Sequence, residues 1–88
     1  MASRTVDVLN KRGLHARASA KFVTMASAQS AAVEVEKGGS KVCGTSIMGL
    51  MMLGAAMGDT ITISADGEGA EEAVAALAEL VETKFGEE

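Results

Sequence analysis

Three short segments of the chain alternate apolar and polar residues with a period of two, which is the pattern of a half-buried β-strand. They are TVDVLN near the N-terminus, AVEVEK in the middle and TITISA in the second half. After the second segment, a Gly38-Gly39 turn leads into a shorter return strand through Val42. Four strands that each have one polar face predict an antiparallel sheet that is open to water on one side.

The segments between and after these strands follow a helical period. Ala18, Phe22 and Met25 share one face of HARASAKFVTMAS, and SIMGLMML is a shorter helical segment. AEEAVAALAELVETKF has acids in its first turn, an apolar stripe and Gly86 as the expected helix end; the stripe consists of Val74, Leu77, Val81 and Phe85. Helices must cover the apolar face of such a sheet, so we predict a two-layer, open-faced α+β sandwich in the order β-α-β-β-α-β-α.

Length and composition restrict the class of protein. A chain of 88 residues has apolar surface for one core, so residues 1–88 are predicted to form a single domain. The lone cysteine, Cys43, is expected to be a small buried hydrophobe; it excludes an internal disulfide and any multi-cysteine metal site. We expect no metal and no cofactor.

The N-terminus lacks an apolar signal-peptide core, and the longest weakly polar run is shorter than the roughly 20 residues of a membrane span, which predicts a cytoplasmic protein without membrane insertion.

The charge is unevenly distributed along the sequence. Residues 1–21 contain five basic residues against Asp7, whereas residues 59–88 contain nine acids against Lys84. A short basic face on an acidic body, without Tyr or Trp to stack on bases, favours an anionic group or an acidic protein surface as the partner and argues against nucleic acid.

The only histidine, His15, lies at the predicted start of the first helix. Gly13 allows a sharp turn before it, and the free backbone N–H groups of Ala16 and Arg17 would point towards an anion on the imidazole. Arg17 adds a forked cation. A helix N-terminus and an arginine both disfavour the imidazolium, and the neutral ring is the nucleophilic form. These residue types together predict a site that accepts and holds a phosphoryl group.

The segments NKRGLHARASAKFV and GTSIMGLMMLGAAMGDTITISADGEGAEEAVAALAELV resemble HPr, the histidine-containing phosphocarrier of the bacterial phosphoenolpyruvate-dependent phosphotransferase system, in a form similar to alphaproteobacterial carriers. The resemblance implies that His15 takes a phosphoryl group on Nδ1 from enzyme I and donates it to IIA-type domains, with Arg17 stabilising the group. It also implies a sheet order of 1-4-2-3 and a relay protein rather than an enzyme, which we expect to be monomeric. The family often has proline where this chain has Ala18, and the change is expected to soften only the first turn.

A second candidate site begins at Ser46, which is predicted to be the N-cap of the SIMGLMML helix. In the family that the chain resembles, the matching serine is phosphorylated by an HPr kinase/phosphorylase in organisms that possess one. The helix is apolar on every side, so part of it must stay exposed, and we expect Ile47, Met48 and Met51 to form a docking surface for partners.

Two alternatives remain open. A small-molecule-sensing α+β regulatory module would use the glycine-rich turns to bind a ligand, and His15 would then be only a helix cap. Within the phosphocarrier hypothesis, the chain could serve sugar transport or a regulatory branch that ends in a nitrogen-related IIA protein. The segments HARASAKF and GTSIMGLMML resemble carriers of alphaproteobacterial type, in which the regulatory branch is common, and so slightly favour that branch.

Overall fold

The computed structural model describes residues 1–87 and confirms the predicted two-layer α+β sandwich. Within these residues, four strands and three α-helices follow the predicted order, and a short 3₁₀ turn, Lys84–Gly86, comes after the last helix. The strands are β1 (Ala2–Asp7), β2 (Ala32–Lys37), β3 (Ser40–Cys43) and β4 (Thr60–Asp66). The helices are α1 (Ala16–Ser27), α2 (Ile47–Met52) and α3 (Ala70–Glu82). None of the helices described is long and apolar enough to cross a membrane.

The strands pair antiparallel in the order β1-β4-β2-β3, as the resemblance implied. The register aligns Val35 of β2 with Ile63 of β4, and both side chains are fully buried. On the opposite face, the hydroxyls of Thr5 and Thr62 hydrogen-bond across β1 and β4 at 3.0 Å. The alternating pattern therefore predicts the sheet correctly: one face lies in the core and the other faces water.

The helices bury the residues that the helical period predicts to be buried, except at one position of α1. Phe22 of α1 and Leu77 of α3 are both fully buried against the sheet. Met25, which was predicted to lie in the stripe of α1, is only half-buried, and Ala26 is buried in its place. The longer Met25 side chain packs against the edge of the core.

Two predictions from the sequence are wrong. Cys43 is exposed, because it pairs with Glu34 across β2 and β3 and so lies on the polar face of the sheet. Helix α3 ends at Glu82, before Gly86. Lys84 and Phe85 both have positive φ angles, 61° and 55°, and the resulting turn folds Phe85 back into the core, where it is 1% exposed. The chain thus reverses direction after α3 and returns towards the start of α1.

Candidate functional site

The loop that precedes α1 is fixed by a close backbone contact. Gly13 has a φ angle of +63°, and a Cβ atom at this position would lie 2.3 Å from the carbonyl oxygen of Ala55. The N–H of Leu14 donates to that same carbonyl at 3.0 Å. Only glycine satisfies both the left-handed backbone and the close approach. The segment that follows α2 therefore positions the loop that carries His15.

His15 is the N-cap of α1, as predicted. Its backbone is extended, with φ −75° and ψ −179°, and its ring nitrogen Nδ1 accepts a hydrogen bond of 3.2 Å from the N–H of Arg17. The carbonyl of His15 accepts from the N–H of Ser19 at 2.8 Å, which closes the first turn of the helix. The helix begins at Ala16 although the chain has Ala18 in place of proline, and Ala18 is fully buried in the first turn.

The sequence analysis did not select Glu87, which contacts the other side of the imidazole. Oε2 of Glu87 lies 2.6 Å from Nε2 of His15, although the two residues are 72 positions apart in the chain. Oε1 of the same carboxylate accepts a hydrogen bond of 3.2 Å from the amide of Asn10. The His15 side chain is consequently 21% exposed, so the ring is largely covered.

These contacts determine which nitrogen of the neutral His15 ring carries the proton. A backbone N–H can only donate, so Nδ1 of His15 must be the acceptor in the bond with Arg17. The ring proton then lies on Nε2 and is donated to Glu87. Nδ1, the nitrogen that carries the lone pair, is on the side of the ring that faces the first turn of α1.

The hydrogen bonds around Glu87 lower the pKa of its carboxyl group. Desolvation raises the pKa of Glu87, but the hydrogen bonds from His15 and Asn10, with the nearby positive charge, outweigh it and hold the pKa below its usual value. Glu87 therefore remains ionised when it meets the ring. Asn10, which the sequence analysis also missed, is fully buried and donates a second hydrogen bond of 2.8 Å to the carbonyl of Gly13.

Cations surround this pair. Lys11, Arg12 and Arg17 line a shallow depression together with Glu87. Arg17 is exposed, and its guanidinium forms no ion pair with any other residue among 1–87. Ala16 begins the helix beside it, so its N–H belongs to the first turn. Several of the basic residues that the sequence concentrates near the N-terminus are thus brought together around one acid and one histidine.

The second predicted site has the local geometry that the sequence predicts. Ser46 is the N-cap of α2, and its Oγ accepts a hydrogen bond of 3.0 Å from the N–H of Gly49. Leu50 is the fully buried residue of this helix, whereas the four other large side chains are exposed: Ile47, Met48, Met51 and Met52. Met57, in the loop after α2, is also exposed and extends the same apolar character beyond the predicted set.

Comparisons with known proteins identify the family. A family model described as the PTS HPr component phosphorylation site matches residues 2–83. Phosphocarrier protein HPr of Neisseria meningitidis is 48% identical over 87 residues, which cover 99% of this chain and 98% of that protein. Phosphocarrier protein NPr of Shewanella violacea is 42% identical over 84 residues, covering 96% of this chain and 92% of that protein.

A solved structure agrees with the sequence matches. The crystal structure of HPr-C-His from Thermoanaerobacter tengcongensis has a TM-score of 0.95 and 49% identity, and the match covers 100% of this chain and 99% of that one. The resemblance that the His15 and Ser46 segments suggested is therefore confirmed, while the alphaproteobacterial type remains a prediction. The chain belongs to the HPr family of phosphocarrier proteins of the phosphotransferase system.

Proposed function

We propose that His15 is the phosphoryl acceptor of this carrier, that enzyme I is its donor and that IIA-type domains receive the group. The observation that supports the proposal most strongly is the state of the ring, whose Nδ1 is an acceptor held at the N-terminus of α1. An unprotonated nitrogen is the nucleophile that the reaction requires. The helix N-terminus and the guanidinium of Arg17, which forms no ion pair within residues 1–87, supply positive charge for the incoming group.

The bonds that form and break in the transfer involve only the ring and the donor. The Nδ1 lone pair of His15 forms a bond to phosphorus as the bond between phosphorus and the donor atom breaks, and the electron pair of that bond leaves with the donor. The product ring carries the phosphoryl group on Nδ1 and the original proton on Nε2. Transfer to a IIA-type domain is the same step in reverse, with a nucleophile of the IIA domain as the acceptor.

The stabilising groups on this chain are the Arg17 guanidinium and the N–H groups of the first turn. When Nδ1 binds phosphorus, it releases the Arg17 N–H, which becomes available to the phosphoryl oxygens. The N–H of Ala16 belongs to the same turn. The protein acts as a relay, since it accepts the phosphoryl group from one protein and donates it to another.

Ser46 and the exposed face of α2 form a second, regulatory part of the proposal. Partners dock on Ile47, Met48 and Met51, which are 41%, 68% and 40% exposed. A phosphate placed on Ser46 by an HPr kinase/phosphorylase would lie at the start of this helix, beside the apolar face. A partner that covers the face would have to desolvate close to two negative charges.

The alternative function, a small-molecule-sensing module, has less support. It assigns His15 only a capping role and leaves the contact between Glu87 and the ring unexplained. Membership of a phosphocarrier family favours the relay. Both HPr and NPr proteins are among the relatives, so the choice between sugar transport and the nitrogen-related branch stays a prediction, as do the cytoplasmic location and the monomeric state.

Intact-mass measurement tests the proposal directly. The protein is incubated with enzyme I and phosphoenolpyruvate, and we expect the mass to increase by one phosphoryl group. The group should be lost in mild acid, as expected for a phosphoramidate, whereas a serine ester would keep it. A mass that does not change with active enzyme I would overturn the carrier proposal. Transfer of the label to a sugar-type or a nitrogen-type IIA domain identifies the branch.

A further inference from the structure

The C-terminal turn brings one carboxylate against the ring of His15. Helix α3 ends at Glu82, and the two left-handed residues Lys84 and Phe85 reverse the chain. Non-glycine residues rarely adopt this conformation, and its cost is tolerated only where the surrounding structure holds it. Here Phe85 is 1% exposed and its carbonyl accepts a hydrogen bond of 2.8 Å from Lys21 of α1. The turn is therefore held by the burial of Phe85 in the core and by one hydrogen bond to α1.

Glu87 is the residue that this turn delivers to the ring. Its backbone N–H donates to the carbonyl of Lys84 at 2.8 Å, and its two carboxylate oxygens have different partners. Oε2 contacts Nε2 of His15 at 2.6 Å, and Oε1 accepts from Asn10 at 3.2 Å. The carboxylate is 20% exposed, so water competes only partly for these hydrogen bonds.

The orientation of Asn10 is set by its acceptors. The amide nitrogen faces two oxygen atoms, the carbonyl of Gly13 at 2.8 Å and Oε1 of Glu87 at 3.2 Å. A flipped amide would direct its own oxygen at both of them, which would be repulsive. Within the part of the chain that the structure describes, the buried Oδ1 atom of Asn10 has no hydrogen-bond partner. The residue thus leaves one acceptor unsatisfied while it donates to the loop and to Glu87.

We propose that Glu87 is a positioning residue for phosphoryl transfer: by accepting the Nε2 proton of His15 it holds the imidazole in the tautomer whose Nδ1 is free to attack, and Asn10 holds Glu87 in place. This inference rests on the proposed role of His15 as the acceptor. The positive charge that develops on the ring when Nδ1 attacks phosphorus is shared with Nε2. An ionised carboxylate at 2.6 Å stabilises that charge more than it stabilises the neutral ring.

The basic residues around His15 explain why a carboxylate is needed at the ring. Lys11, Arg12 and Arg17 line the depression beside Glu87 and attract an incoming anion, whereas they disfavour a positive ring. Glu87 is the carboxylate in contact with the imidazole among the residues described. It offsets this local excess of positive charge at the atom where the reaction needs it, on the side of the ring opposite to the nucleophilic nitrogen.

The test combines a spectroscopic readout with kinetics. In the unphosphorylated wild type we expect nuclear magnetic resonance to show a ring proton on Nε2 that exchanges slowly with water, and a Nδ1 shift typical of an unprotonated nitrogen. Glu87→Ala should lose the slowly exchanging proton. Glu87→Gln should keep it, because the amide oxygen still accepts. Glu82→Ala, which removes an exposed acid at the end of α3, is the matched control and should behave as the wild type.

Kinetics then show whether the contact matters for transfer. With enzyme I and phosphoenolpyruvate, Glu87→Ala should lower the rate constant at saturating carrier about three- to tenfold, while the KM for the carrier changes little. Glu87→Gln should fall between Glu87→Ala and the wild type, since it keeps the hydrogen bond and loses the charge. Asn10→Leu, which removes the amide at similar size, should reduce the rate in the same direction and to a smaller extent.

Several results would overturn the proposal. The Nε2 proton could persist unchanged in Glu87→Ala, or that variant could transfer at the wild-type rate constant. A faster transfer would mean that the carboxylate hinders the incoming anion. A wild type that enzyme I does not phosphorylate would contradict the proposed function of His15, yet the ring-proton measurement would still decide whether Glu87 holds the tautomer. The two failures are therefore distinguishable.

Discussion

The N-termini of α1 and α2 are capped in a similar way. Each helix is preceded by an extended residue whose side chain accepts a backbone N–H from the first turn. Nδ1 of His15 accepts from Arg17 at 3.2 Å, and Oγ of Ser46 accepts from Gly49 at 3.0 Å. In both cases the cap satisfies one of the donors that a helix leaves unpaired at its start.

What surrounds the two caps differs. His15 is held by Glu87, which is 72 residues away in sequence, and its loop packs on the backbone of Ala55. The hydrogen bonds of Ser46 are to residues close to it in sequence, including Cys43 and Gly49, and the helix that it begins exposes Met48 and other apolar side chains. The α1 cap thus depends on residues that are distant in the sequence, whereas the α2 cap depends on residues close to it.

The largest effect is expected at the cap of α1. His15→Ala should abolish acceptance of the phosphoryl group, because no other residue of the chain supplies an imidazole. The fold should persist, with a loss of about 1 kcal/mol from the missing cap. Intact mass after incubation with enzyme I and circular dichroism measure the two effects. Phosphoryl transfer that survives in this variant would contradict the assignment of His15.

Gly13→Ala tests whether the loop before α1 depends on its close contact. The new Cβ would meet the carbonyl of Ala55 and would force a left-handed alanine, so we expect a loss of about 2–5 kcal/mol in the free energy of unfolding. Gly38→Ala is the matched control, since Gly38 also has a positive φ angle, +55°, but a Cβ atom added there would meet no other atom within 4 Å. It should lose only about 1–2 kcal/mol. Equal losses in urea unfolding would mean that the contact with Ala55 is unimportant.

Arg17→Ala tests the charge beside the α1 cap. If the guanidinium stabilises the phosphoryl group during transfer, the rate constant should fall about tenfold, with a smaller change in the KM for the carrier. Arg17→Lys should recover only part of the rate because it lacks the planar fork. Single-turnover transfer from phosphorylated enzyme I measures both variants. An unchanged rate constant would reduce Arg17 to a general surface charge.

Ser46→Asp applies a negative charge to the cap of α2. The helix dipole favours this charge by about 0.3–1 kcal/mol, so thermal stability should stay close to that of the wild type. Transfer from enzyme I should slow through a higher KM for the carrier, since a partner must desolvate the charge beside Met48 and Met51. Ser46→Ala, which loses about 1 kcal/mol of capping, should accept the group normally. Wild-type transfer by Ser46→Asp would leave Ser46 with only a capping role.

Acid should slightly weaken the Glu87 contact at the α1 cap and the Asp59 contact in the loop after α2. Desolvation raises the pKa of Glu87 but is outweighed by the hydrogen bonds from His15 and Asn10, and the backbone hydrogen bond from Ala56 is the main cause of the lowered pKa of Asp59, in the loop after α2. A carboxyl group whose pKa is lower in the folded state stabilises the fold above its ordinary pKa, which is 4.5 for Glu87. That contribution is lost as the pH falls through the lowered folded value.

Urea unfolding between about pH 6 and pH 3 measures the effect. The stability of the wild type should fall more steeply with acid than that of Glu87→Gln, which cannot lose a charge at this position. Parallel curves for the two proteins would show that the contact of Glu87 with His15 and Asn10 does not stabilise the folded state. They would also weaken the comparison between a long-range and a local cap.

The sequence by itself determined the features that depend on neighbouring residues. The period of two predicted the strands, Gly13 and the residues after it predicted a helix that begins next to His15, and Ser46 was predicted as a cap. The all-apolar helix had to leave part of its surface exposed. Each of these follows from backbone geometry, capping or helical period over a few residues, so local patterns are sufficient to predict them.

Only the tertiary structure decided which distant groups meet. Glu87 was one of many acids near the C-terminus, and no pattern distinguished it from the others. Its contact with His15 requires three features together: the left-handed turn at Phe85, the sheet order and the packing of α3 on α1. Cys43 lies on the polar face because of its pairing partner, which its own neighbours do not specify. Long-range contacts depend on the sum of all packing energies in the fold, and that sum is not contained in any single segment of the chain.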